Sequence, residues 1–417
     1  MTRAPIRLPS AYHALGTRAY RWVLVEQLLF ETSLTVFEVA LFWNVVQATG
    51  RSSAVATLFA LIVLPSALLA APVGRQADRI GTRPLLVAGS LAAALTALLA
   101  AGAAHLDRLS FAEGAALATC AGVSLGLWAV PCQVTVSRVV PPEARSGAIA
   151  LSLAPSGLSG MVGGTAAGWL LRSTEPEWVY LVAAVGMLLG AGVATRLPRV
   201  RVPAAGTQLS GSLRRTVRWI RAQRLVTTLC LLAIVASVCI VGRIALYPAM
   251  VEDTLGGGPF ELGLLISATG LGALAASLTT ETTARIFGRG RTALGALGLA
   301  ALCLIGLSAS RHLLLSVVLV AVCATASITY QASAAMVVHL AAHPDDRGRV
   351  VGTYDIARLS LVPAGTVLVG YLADRIGPVL ACAVTGGVTL AAVALLRWFV
   401  RGSIGEAGSA PEGQLRV

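Results

Sequence analysis

Apolar runs of about 20 residues recur along the chain, each closed by a short break that holds charge, Pro or Gly. A helix needs about 20 apolar residues to cross the hydrocarbon core, and only helices or closed barrels satisfy their backbone groups there. The pattern predicts twelve helices: 22–47, 54–73, 84–104, 112–137, 147–171 and 178–195, then 225–250, 261–280, 292–310, 313–340, 350–373 and 378–400. The expected fold class is an all-α polytopic membrane protein. The first run, from Trp22, exceeds signal-peptide length and carries three acids, so it reads as a retained span.

Between the sixth and seventh runs lies "RLPRVRVPAAGTQLSGSLRRTVRWIRAQR", with eight Arg, no acid and an amphipathic final third that can lie along a membrane surface. The chain therefore divides into a six-helix bundle over 1–195, an Arg-rich linker over 196–224, a second six-helix bundle over 225–401 and a tail over 402–417. The halves repeat. "PEARSGA" at 142–148 and "PDDRGRV" at 344–350 each precede an apolar run. Pro142 and Pro344, Arg145 and Arg347, and Gly168 and Gly370 are all 202 residues apart. Paired six-helix halves characterise transporters that rock two bundles about a site near the bilayer midplane.

Composition agrees: 56% of the 417 residues are hydrophobic, 12% are charged, and the mean hydropathy is +0.79. A net charge of +13 in a soluble chain would suggest nucleic acid, but here the placement of charge gives another answer. All 32 basic residues are Arg; 26 fall in the N-terminal tail, alternate breaks, the linker and the C-terminal end, and six (Arg51, Arg108, Arg172, Arg243, Arg311 and Arg375) on the other side. Cytoplasmic loops retain positive charge, so both termini are expected in the cytoplasm. The partner implied is the lipid bilayer, not nucleic acid. Arg without Lys, beside abundant Ala and Gly, resembles a GC-rich bacterial genome, so the expected location is a bacterial plasma membrane. Seven Cys fall within apolar runs without CxxC pairs, and five His lack Cys or carboxylate partners; neither a disulfide framework nor a metal site is expected.

One break stands out. "APVGRQADRIGTRPL", 71–85, joins the second and third helices on the predicted cytoplasmic side. It resembles the signature loop of the major facilitator superfamily, matched at Gly74, Asp78, Arg79, Gly81 and Arg83. The resemblance extends over nearly the whole chain and implies the major facilitator fold of two pseudo-symmetric six-helix bundles. It also implies that the loop latches the outward-facing state. Asp78 would dock at the start of the eleventh helix, near Asp355 and Arg358, and Gly74 would allow close helix approach; the alternative is that these charges only anchor topology. Finer features, the first-to-second helix run and "LYPAMVEDTLGGGPFELGLLISATGLGALAAS" at 246–277, look like the drug and siderophore exporters. The fourth helix departs from that branch, with Thr119 near where many proton antiporters carry Arg, and the fifth reads "SGLSGMVGG", with Ser159 and Met161 where stronger matches have Gly and Pro. A second string of the same kind, "GYLADRIG" at 370–377, falls on the outer side, where Asp374 and Arg375 are expected to end a helix and stabilise an exposed turn.

Ionisable residues inside spans are functional candidates by default. In the first helix Gln27, Glu31, Thr35 and Glu38 follow i, i+4, i+8, i+11 spacing and share a face. Low dielectric disfavours a charged carboxylate, and a second one adds to the penalty, so Glu31 and Glu38 are expected to exchange protons; bracing ion pairs are the alternative. Glu26, nearer the cytoplasmic end, is expected to pair with Arg18 or Arg21 at the interface. Arg243, toward the outer end of the seventh helix, either snorkels to water, binds an anionic substrate or pairs with a Glu of the first helix. Trp128, Gln133, Tyr247, Tyr330 and Gln331 are candidates for lining a cavity, with helix packing as the other reading.

No Gly-rich loop with Lys is present to hold ATP phosphates, no nucleophile and base stand at a fixed motif spacing, and no cofactor is implied. The leading expectation is a monomeric secondary transporter that exports an amphipathic small molecule in exchange for protons. The alternatives are a proton-coupled importer on the same fold, a transport-inactive sensor and a lipid-handling protein.

Overall fold

The computed structural model describes residues 15–107, 109–141, 145, 148, 151–200, 224–341 and 347–400. Most of the predicted linker therefore lies outside the described residues. Every regular element among them is helical, and the twelve predicted helices are all found. The first six are α1 (Arg18–Thr49), α2 (Ser52–Ile80), α3 (Thr82–His105), α4 (Phe111–Arg138), α5 (Leu153–Ser173) and α6 (Pro176–Ala194). Then come α7, beginning as Arg224–Val235, α8 (Pro259–Phe287), α9 (Arg289–Ala309), α10 (Leu313–Ala341), α11 in two segments (Arg347–Ser360 and Val362–Ile376) and α12 (Pro378–Val400). All but α5 are long and apolar enough to cross a membrane.

The chain forms two compact units. One holds residues 1–44 and 61–205, the other 45–60 and 206–417. The junction of α1 and α2 groups with the second unit. In the first unit α3 packs along both α4 and α6. Small residues bring helices close: a Cβ on Gly89 would stand 3.0 Å from the Trp128 Cβ, and one on Gly163 would stand 2.9 Å from the Thr32 carbonyl oxygen. In the second unit α8 and α9 each pack along α10, α9 also packs on α12, and the second segment of α11 lies on the middle of α7.

Two elements differ from expectation. The signature segment is not a loop, since α2 runs unbroken to Ile80 and only Gly81, at φ 86°, separates it from α3. Gln76, Ala77 and Arg79 favour helix, and the left-handed turn needs the missing side chain of Gly81. Gly288, at φ 81°, joins α8 to α9 in the same way in the second unit. The other difference is α7. After Val235 it passes through a π turn (Ala236–Ile240), a 3₁₀ stretch (Val241–Leu246), a short α turn (Tyr247–Ala249) and another π turn (Met250–Thr254). Pro248 has no N–H for the carbonyl four residues back, and α11 is pressed onto this stretch: a Cβ on Gly242 would stand 2.8 Å from Val369 Cγ2.

Candidate functional site

The first unit carries a polar seam on α1. Gln27 Nε2 donates to Glu31 Oε1 at 3.0 Å, to the Ser152 carbonyl at 2.9 Å and to Ser156 Oγ at 3.4 Å. One turn on, Thr32 Oγ1 donates to Ser159 Oγ at 3.2 Å. Thr35 spends its hydroxyl on the Glu31 carbonyl at 2.9 Å. The helical spacing read from the sequence thus places Gln27, Glu31 and Thr35 along one seam, and the "SGLSGMVGG" of α5 supplies small residues and hydroxyls opposite it. Glu38, half-buried a further turn along, has no hydrogen-bond or ion-pair partner among the described residues.

Glu26 is not at the interface. It is fully buried, while Arg18 and Arg21 are exposed. Its Oε1 accepts the Trp128 indole N–H at 2.7 Å and the Ser90 hydroxyl at 3.4 Å, and Oε2 has no partner among the described residues. The indole is stacked on Phe30, with ring centroids 4.2 Å apart and planes 8° from parallel. Trp128, 4% exposed, therefore serves as a hydrogen-bond donor in a packed interior. Sequence spacing pointed Glu26 at Arg18 and Arg21, and its true partners lie on α3 and α4. Gln133, one turn past Trp128, is exposed.

None of the three α1 carboxyls lies within ion-pair reach of a basic side chain among the described residues.

The signature residues belong to the first unit. Ala77 is buried with Val73 and Leu85 and seats the end of α2, whereas Arg79 is exposed and Asp78 is half-buried with no hydrogen-bond or ion-pair partner among the described residues. A Cβ on Gly74 would meet only Val130, at 3.9 Å, so within this unit the glycine answers no steric need. Arg83 is half-buried.

The second unit holds the remaining candidates. Arg243 is 5% exposed and does not snorkel: Nε donates to Tyr247 Oη at 2.8 Å and Nη1 donates to the Ile240 carbonyl. The 3₁₀ turn folds this arginine back onto its own helix, and Tyr247 is buried with it. Tyr330, also buried, donates to the Leu229 carbonyl at 3.2 Å. Gln331 Oε1 accepts from Arg358 at 2.7 Å, and Arg358 also meets Asp355 at 3.5 Å. Gln331, Tyr330 and Arg358 line a small cavity with Ser237 and Ser327. Asp374 does more than end a helix. Both its oxygens accept the Ser53 N–H at 3.3 Å, one also accepts the Ser53 hydroxyl, and Gly377, at φ 86°, ends α11 instead.

No curated protein matches this sequence. Among solved structures, an aspartate-to-alanine mutant of the nucleoside transporter NupG is similar with a TM-score of 0.72 and 12% identity over 91% of this chain and 98% of its own. A D-xylose-proton symporter gives 0.67 and 13% over 92% and 97%. The human organic anion transporter MFSD10 gives 0.58 and 18% over 93% and 100%. These likenesses concern the fold. The family model described as transmembrane secretion effector matches residues 9–414, and with it the chain belongs to that family of major facilitator transporters.

Proposed function

We propose that this transporter exports an amphipathic small molecule in exchange for protons, with Glu26, Glu31 and Glu38 as the groups that take up and release them. The observation that carries this reading is on α1, where Glu31 in the seam toward α5, Glu38 beyond it and Glu26 on the side toward α3 and α4 all lack a basic partner among the described residues. Gln27 links Glu31 to α5, and Trp128 links Glu26 to α4, so a change of charge at either carboxyl is felt by two helices. Conformation and protonation are coupled in this way. Asp78, with Asp355 and Arg358, keeps the latch role that the signature implies, and Arg243 takes a structural role in α7 rather than binding substrate.

Dye efflux from an efflux-deficient bacterial host, with and without a protonophore, tests the reading together with Glu26→Gln, Glu31→Gln and Glu38→Gln. At least one variant should lower gradient-driven efflux by about tenfold or more, equivalent to about 1.4 kcal/mol, while keeping its expression and dye binding. Protonophore-sensitive efflux at the unmodified rate in all three would move coupling elsewhere. Dye accumulation instead of efflux would favour an importer.

A further inference from the structure

In the second unit α8 and α9 both lie against α10 but scarcely touch each other, which leaves a groove of about 460 Å³ between them with α10 as its floor. Its walls include Thr279, Phe287, Gly295, Leu299 and Thr325, and Arg291 stands at one end. The threonines do not make it polar. Thr279 donates to the Ala275 carbonyl at 2.8 Å and Thr325 to the Ala321 carbonyl at 2.9 Å, so both hydroxyls are turned onto backbone.

We propose that this groove binds one anionic phospholipid of the surrounding bilayer, with Arg291 on the headgroup phosphate and an acyl chain along the apolar walls. The flanking surface is that of a bilayer-facing wall: Leu278 is 80% exposed, Ile286 68% and Leu302 53%. Depth fits as well. Arg291 lies in the first turn of α9, at headgroup level, and Leu299 lies eight residues deeper, about 12 Å at a rise of about 1.5 Å per residue. Charge gives the class of lipid. Arg291 is the one charged residue of the groove lining and has no partner among the described residues, whereas Arg285 and Arg289, outside the lining, are engaged by Glu281 at 3.1 Å and 3.6 Å. A single unpaired arginine with no acid in the lining favours an anion, and basic pockets between membrane helices on the cytoplasmic side take anionic headgroups. The Arg distribution puts this end of α9 on that side.

The test uses the full-length protein purified in detergent, with bound lipids counted by native mass spectrometry after titration with phosphatidylglycerol or phosphatidylcholine. One phosphatidylglycerol should be retained in preference to phosphatidylcholine. Arg291→Gln, at an exposed position, should abolish that preference, a change of about fivefold for one arginine. Gly295→Leu should weaken both lipids, because it fills the groove from a helical site where an added Cβ meets nothing within 4 Å. Arg311→Gln, an exposed change outside the groove, should alter neither. Equal retention of the two lipids by the unmodified protein, or unchanged phosphatidylglycerol in both groove variants, overturns the proposal. So does displacement of the lipid by millimolar inorganic phosphate, which would make the site one for the free ion. If Gly295→Leu loses its monodisperse elution profile, Arg291→Gln decides alone.

Discussion

Burying a carboxyl costs free energy that its hydrogen bonds offset, and the quality of each donor sets how much it matters. The Trp128 indole reaches Glu26 at 2.7 Å, the Ser90 hydroxyl only at 3.4 Å, beyond the usual range for O–H donors. Trp128→Phe keeps a ring against Phe30 but removes the N–H, and should cost about 1–3 kcal/mol, the range for leaving a buried acceptor without its donor. Ser90→Ala should cost less. The check is the midpoint of thermal unfolding in detergent, and a Ser90→Ala midpoint as low as that of Trp128→Phe would show that the indole is not the principal partner. The same pair explains why Glu26 was misread. In the sequence its nearest charges are Arg21 and Arg18, and helical spacing offers them as partners, whereas Trp128 lies 102 residues away and only the packing of α4 against α1 brings it near. Gln27, Glu31 and Thr35 were legible because a face of one helix is a local property. What that face meets was not.

At the level of elements, a helix start leaves N–H groups without intrahelical partners, and α2 has its start served by a carboxylate from α11 within the second unit. An acid at a helix N-terminus contributes about 0.3–1 kcal/mol when exposed, and Asp374 is exposed. The packing beneath it is tight, because a Cβ on Gly370 would stand 2.9 Å from the Ser52 carbonyl oxygen and 3.0 Å from Ser53 Cα. Ala56, next along α2, is fully buried. Asp374→Ala should loosen this start slightly and Gly370→Val strongly. In a variant otherwise free of cysteine, a cysteine at Ala56 should react slowly with a membrane-impermeant maleimide, several-fold faster beside Asp374→Ala and faster still beside Gly370→Val. Equal rates in all three would mean that α11 does not hold the start of α2. The sequence named Gly370 and Asp374 only as parts of a repeated string, since their partners lie more than 300 residues earlier. The irregular α7 was equally hidden. Its apolar run looks like any other, and the π and 3₁₀ turns arise where Gly242 and Gly365 let α11 press on it.

For the whole molecule the sequence was most informative about what repeats. Apolar length found all twelve helices, because spanning a bilayer imposes a length that any window of the chain displays. It found even α5, whose glycines and serines keep it below the apolarity of the other eleven. Residues 45–60, the end of α1 and the start of α2, group with the second unit through partners far away in sequence, which no local window displays. Orientation rests on one argument, the 26 arginines counted on one side against six on the other. The effect is cumulative: arginine in short loops near helix ends resists translocation, so no single loop decides it. The twelve helices make it stricter, because an odd number of crossings between two loops would exchange the sides and destroy the asymmetry. Ser210, in the Arg-rich linker, is therefore expected in the cytoplasm, and Gly257, in the turn between α7 and α8, on the opposite face. Alkaline phosphatase is active only after export and green fluorescent protein only in the cytoplasm. Fused after Ser210, the fluorescent protein should be bright and the phosphatase silent; fused after Gly257, the result should reverse. Removing Arg214, Arg215, Arg218 and Arg221 together should lower the asymmetry to 22 against six and leave the orientation intact. If both fusion sites report the same compartment, α7 does not cross the bilayer, and the reading of Arg291 at a cytoplasmic headgroup fails with it.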